Sequence, residues 1–119
     1  MRETDKDKGR LSHMLEMASL LEIEKSRYTL DKIRNDKILF FGLSKMVEII
    51  GEAAYMITKE FKEKHQDMPW RQMQGMRHIL VHGYYTVDPE ILWETIRHDI
   101  PPLIPILKAY IEEFDQKAT

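Results

Sequence analysis

The stretch richest in chemically useful side chains is Trp70-Arg71-Gln72-Met73-Gln74-Gly75-Met76-Arg77-His78-Ile79-Leu80-Val81-His82-Gly83-Tyr84. It gathers two arginines, two histidines and a tyrosine on, or just beyond, one helical span. Four residues separate Arg77 from His82, and Tyr84 follows His82 by two. Arginine is a permanently charged planar fork that suits a phosphodiester and the negative charge developing on it. Histidine titrates near neutral pH and moves a proton in either direction. An Arg–His pair is therefore sufficient in kind for metal-free RNA cleavage. The 2′-hydroxyl attacks the adjacent phosphate and leaves a 2′,3′-cyclic phosphate end.

Spacing sets a condition on that chemistry. Residues five apart on an α-helix point about 140° apart. Arg77 and His82 converge only if the helix loosens near Gly83, or if a second subunit contributes to a shared cleft, which would make the active form a dimer. The same residues also fit a blander description, a helix cap beside a surface pair. Spacing alone does not separate the two.

Other chemistries are poorly supported. His78 and His82 lie four apart and could chelate one ion from a helical face, but no third ligand is close in sequence, so no metal is expected. There is no Gly-rich phosphate loop, and no cofactor is expected. A Glu-x-x-His pair is absent, because Arg10, Lys62, Gly75, Ile79 and Thr95 stand three before the five histidines. No helix carries a concentrated basic reading face, so DNA is not an expected partner. The chain has no cysteine, which excludes disulfides, thiolate metal sites and cysteine nucleophiles and suits a reducing cytoplasm. No apolar run approaches the roughly 20 residues that span a bilayer. With 18 basic and 20 acidic residues the net charge is -2, so contact with RNA has to come from a local positive cluster.

The elements that would position the cluster read as helices throughout. Leu, Ile, Met, Glu and Lys dominate, and no Asn-Gly or Asp-Gly hairpin signal occurs. Residues 1–10 read as a flexible, solvated start, and 11–119 as a single helical domain. A first helix is expected from Leu11 to Arg27, its apolar face made by Leu11, Met14, Leu15, Ala18, Leu20 and Leu21. Asn35 and Asp36 are candidate N-caps for the second. There Phe40, Leu43, Val47, Ile50, Ala54, Ile57 and Phe61 recur at spacings of three and four, with Leu39, Met46, Ile49, Ala53 and Met56 beside them. So wide an apolar face needs neighbours on more than one side. Gly51, Ala53 and Ala54 are small enough to admit another helix closely.

Lys62 to Gln66 should end that helix. A third runs from Trp70 to His82, with Gly83 as its left-handed cap. Asp88 and Pro89 start a fourth, which must break near Asp99 and Ile100 because Pro101 and Pro102 follow. A last piece runs from Leu103 to Phe114. Trp70 and Trp93 are expected as core anchors, and the eight methionines as core filling.

Arg77, four residues, His82, one residue and Tyr84 match the R-x4-H-x-Y motif of HEPN ribonucleases. The flanks Ile50-Gly51-Glu52-Ala53-Ala54, Pro69-Trp70, Gly75-Met76-Arg77 and Asp99-Ile100-Pro101 resemble the HepT toxins of bacterial and archaeal toxin–antitoxin pairs, from the first helix to about Lys108. The resemblance implies an all-α, HEPN-type antiparallel four-helix bundle with a short or kinked C-terminal helix, acting as a homodimer. It implies that Arg77 and His82 cleave RNA, Arg77 stabilising phosphate and His82 moving the proton. It further implies that a cognate nucleotidyltransferase antitoxin transfers AMP from ATP to Tyr84, placing an anion beside Arg77.

Where that family often carries a polar residue such as asparagine, this chain has His78, either an additional proton carrier or a partner for a backbone carbonyl. Tyr85 is an adjacent alternative for modification. Glu52 either orients Arg77 or satisfies a polar interface. The rival functional reading is a non-catalytic HEPN module that presents nucleotide or substrate to a nucleotidyltransferase. A plain helical scaffold is a third reading.

Overall fold

The computed structural model describes residues 6–78 and 88–117, and these form seven α-helices with no strand among the described residues. Helix α1 spans Asp7–Glu24 and closes in a 3-10 turn, Lys25–Arg27. Then come α2 (Leu30–Asn35), α3 (Lys37–Met56), α4 (Lys59–Lys64) and α5 (Trp70–Gly75), the last tightening into a 3-10 turn at Met76–His78. Helix α6 (Pro89–Glu94) widens into a π-helical turn, Thr95–Asp99, before α7 (Leu103–Lys117). The all-α bundle expected from the sequence is what forms.

Helix α3 is the spine, packing against α1 on one side and against α5 with its 3-10 turn on another, while α1 also packs on α7. Its stripe at spacings of three and four is buried without exception, from Phe40 through Val47 to Phe61. The companion line is half-buried at the margins, and its last member, Met56, is exposed. On α1, Leu11, Met14, Ala18 and Leu21 are buried, whereas Leu20, expected on the same face, points out.

Capping fixes most boundaries. Asp36 accepts from Leu39 N at 3.0 Å, and this hydrogen bond, followed by Lys32 beside it, holds its carboxyl below the usual value. Asp88 caps α6 through Glu90 N at 2.9 Å with Pro89 in the first turn. The break before Pro101 falls where expected. Ile100 N reaches back to Thr95 O at 3.0 Å, the wider π spacing absorbing the end of the helix.

Three boundaries differ from the sequence reading. Helix α1 begins at Asp7, so residues 7–10 are helical where a flexible start was expected. Asp7 is fully buried, its carboxylate accepting from Thr58 N (3.1 Å), Thr58 Oγ1 (2.6 Å) and Arg10 (3.1 Å). The long second helix is two, because Thr58 turns the chain and caps α4 through Phe61 N. The periodicity ran through this corner because Ile57 and Phe61 stay in the core on both sides of it. Helix α2, capped by Thr29, was not anticipated: it is too short for a periodic signal.

A cluster of rings ties α4, α5 and α7 together. Phe61 stacks on His65 with centroids 3.8 Å apart and on Phe114 at 5.7 Å. Trp70 Nε1 donates to His65 O at 2.8 Å, and Tyr110 Oη donates to the same carbonyl at 3.2 Å and to Asp67. Burial of Tyr110, followed by its bond to Asp67, pushes the phenol well above its usual 10.0. Trp70 is thus the expected core anchor, while Trp93 is half-buried against the core with Arg97 over its ring. No helix among the described residues is long and apolar enough to cross a membrane.

Candidate functional site

Arg77 is delivered by the 3-10 turn that ends α5, immediately against α3. The contact is possible only because position 51 has no side chain. A Cβ on Gly51 would lie 2.2 Å from Arg77 N, 2.7 Å from Met76 C and 2.9 Å from Arg77 Cα. These are backbone atoms, which cannot rotate away. One turn further along α3, the Tyr55 ring carries the Arg77 guanidinium, with Cζ 3.7 Å from its centroid. Gly51 thus sets where the Arg77 backbone sits, and Tyr55 sets where its charge sits.

Arg77 Nε donates to His78 Nε2 at 3.1 Å. With that nitrogen accepting from arginine, its lone pair is occupied, and the expected bond from His78 to a backbone carbonyl does not involve it. Among the described residues no carboxylate pairs with Arg77, although most other cations have one: Lys45 with Glu48, Lys64 with Glu60 and Arg34 with Glu90 are examples. Among the described residues its charge is held by the aromatic face of Tyr55.

Glu52 is not with Arg77. It lines a groove on the α1 side of α3, with Arg10, His13, Ala53 and Met56 among its neighbours. The helical turn from Gly51 to Glu52 rotates the side chain away from the face that meets Arg77. His82, Gly83, Tyr84 and Tyr85 lie outside the described residues, so the expected meeting of Arg77 with His82 falls there too. The loosening expected near Gly83 lies outside the described residues as well, and the last described turn before it, Met76–His78, is the tighter 3-10 form. Among the described residues no three of His, Asp and Glu are grouped as a metal site would need.

Two contributors escaped the sequence reading. Tyr55 lay on the exposed side of an apolar helix, and its only signal was its place four residues after Gly51. Lys62 looked like a helix-ending cation. Its Nζ instead donates to Tyr55 O at 3.3 Å and stands 6.0 Å from the Trp70 ring centroid. Burial pushes the Lys62 ammonium below the usual lysine value; Asp7 opposes this and the like charge of Arg77 adds to it.

The model of the family described as "Ribonuclease HepT-like" matches residues 14–110. The chain belongs to the HepT-like ribonuclease family. The match runs from within α1 to about the middle of α7, and so includes both Gly51 and Arg77. Among curated relatives, a protein of Caldanaerobacter subterraneus subsp. tengcongensis named as a candidate RNase is 35% identical over 103 residues, covering 87% of this chain and 92% of its own. A candidate ribonuclease HepT of Thermococcus cleftensis is 38% identical over 96 residues, covering 81% of this chain and 87% of its own. A longer Methanocaldococcus jannaschii protein, named a gamma-glutamylcyclotransferase and candidate RNase, is 37% identical over 110 residues. That match covers 89% of this chain but only 48% of the relative. No solved structure matches the chain.

Proposed function

We propose that this chain is a metal-independent endoribonuclease and the toxin of a toxin–antitoxin pair, working as a homodimer. The observation that carries the reading is Arg77. It is cradled by Gly51, stacked on Tyr55 and, among the described residues, without a carboxylate, as a residue that receives a phosphate would be. His82 supplies the proton transfer. The 2′-oxygen bonds to phosphorus as the bond from phosphorus to O5′ breaks, leaving a 2′,3′-cyclic phosphate and a 5′-hydroxyl end. The proton leaves the 2′-hydroxyl and one is delivered to O5′, which requires an acid–base group of histidine type. Arg77 steadies the charge on the phosphate oxygens.

Regulation follows from the same electrostatics. A cognate nucleotidyltransferase antitoxin joins the Tyr84 hydroxyl to the α-phosphorus of ATP and releases pyrophosphate. The attached AMP places a phosphate within the motif, where it competes with substrate for Arg77. A dimer is favoured by large apolar side chains left exposed on α1 and α3, among them Ile23, Ile38 and Phe41.

The test is incubation of unmodified protein with total cellular RNA in EDTA, beside Arg77→Ala and His82→Ala variants whose folding has been checked. Fragments with 2′,3′-cyclic phosphate ends are expected from the wild type alone. No cleavage of any RNA class by the wild type would favour the binding-module reading. Equal cleavage by all three would overturn the roles of Arg77 and His82.

A further inference from the structure

Tyr55 serves two cations at once. Its ring stacks under Arg77, and its carbonyl accepts from Lys62 Nζ. Lys62 comes from a different helix, α4, and its stem runs past Trp70. Neither cation has a carboxylate partner among the described residues. The neighbouring lysines of α4 do: Lys59 faces Glu63 and Lys64 faces Glu60.

Such an arrangement costs free energy. Lys62 is partly desolvated and repelled by Arg77, and the Tyr55 carbonyl is a neutral acceptor that offsets only part of this. Asp7 attracts Lys62 across a distance, but its own oxygens are taken by Thr58 and Arg10. Lys62 is only half-buried, so its remaining ammonium protons face solvent, where an incoming anion can replace water. Both cations lie against Tyr55, one on its ring and one at its carbonyl, so a single strand passing over this residue can meet both with its phosphates.

We propose that Lys62 is a substrate-binding residue that holds the phosphate next to the one engaged by Arg77, so that single-stranded RNA is gripped at two consecutive phosphates across Tyr55. This rests on the ribonuclease reading and adds a phosphate subsite to it. Lys62 contributes to holding the strand and not to the proton transfers. Its removal therefore raises KM and leaves kcat nearly unchanged, whereas removal of Arg77 lowers kcat.

The experiment is binding of a single-stranded 2′-O-methyl oligonucleotide, which lacks the attacking hydroxyl, to the full chain across a series of salt concentrations. It is run alongside cleavage kinetics on the matching RNA. Lys62→Gln is expected to weaken binding about tenfold, the weight of one hydrogen bond to a charged group. The slope of log affinity against log salt should fall by about 0.7, one phosphate contact on a single strand. Lys62→Arg should restore both. Lys62→Met keeps the stem over Trp70 and should behave as Lys62→Gln does, which separates lost charge from lost packing. Lys59→Gln is the control and should leave the slope unchanged. Unaltered affinity and slope in folded Lys62→Gln and Lys62→Met, with cleavage still abolished by Arg77→Ala, would overturn the Lys62 proposal and leave the ribonuclease intact. Failure of the wild type to bind or cleave any RNA would overturn both.

Discussion

Replacing Gly51 by alanine adds a single methyl group, yet the structure predicts a loss of function larger than the loss of stability. The new Cβ would start 2.2 Å from Arg77 N, and 3.4 Å is the near edge of ordinary contact, so the gap has to open by more than 1 Å. All three of the close atoms are backbone, so α3 and the Met76–His78 turn must separate as bodies. Two stability effects oppose each other. Overpacking costs about 1–3 kcal/mol, and alanine in place of glycine in a helix interior returns about 1 kcal/mol. The net change should stay within about 2 kcal/mol, and the protein should still fold. On the proposed ribonuclease reading, Arg77 moves by about the displacement that costs a positioned catalytic group on the order of 100-fold. The assay is RNA cleavage, read as kcat/KM, with a melting curve on the same preparation. Gly42→Ala is the control: it lies in the same helix with nothing within 4 Å of its would-be Cβ, and should be neutral or stabilising by about 0.5–1 kcal/mol. A Gly51→Ala protein that cleaves at the wild-type rate would refute the claim that this contact sets the position of Arg77.

Two further changes probe the frame around the site. Asp7→Ala should cost roughly 3 kcal/mol, measured by urea unfolding, because it removes the buried acceptor shared by the Thr58 amide, the Thr58 hydroxyl and Arg10. Tyr110 is held as the neutral phenol, its value raised above 10.0, so the stability it contributes is present below that pH and is lost as pH climbs past it. Tyr110→Phe should cost about 1 kcal/mol at neutral pH through its lost hydrogen bonds. It should also flatten the alkaline fall in stability, and equal pH profiles for the two proteins would contradict this.

Much of this protein was legible one residue at a time. Burial follows local periodicity, so the stripe from Phe40 to Phe61 marked the core side of α3 and α4. Caps act within three residues of themselves, so Asp36 and Asp88 marked helix starts. Prolines lack a donor wherever they sit, so the break before Pro101 was visible in the letters. The run from Arg77 to Tyr84 stood out by residue type and spacing as the candidate for chemistry, and its part beyond His78 lies outside the described residues.

Contacts between distant parts of the chain were decided by the tertiary structure alone. Asp7 looked like a solvated charge until Thr58, 51 residues on, turned to meet it and divided the long helix in two. Glu52 and Tyr55 both stood near Gly51 in sequence. The rotation of α3 against the turn after α5 gave Arg77 to Tyr55 and turned Glu52 toward α1. Lys62 read as the end of a helix, and only the corner at Thr58 brought it to the Tyr55 carbonyl. Sequence determines what each residue is able to do within a turn or two of itself. Which charges meet, and which are left without a partner, depends on the angles between helices, and those are set by packing summed over the whole core.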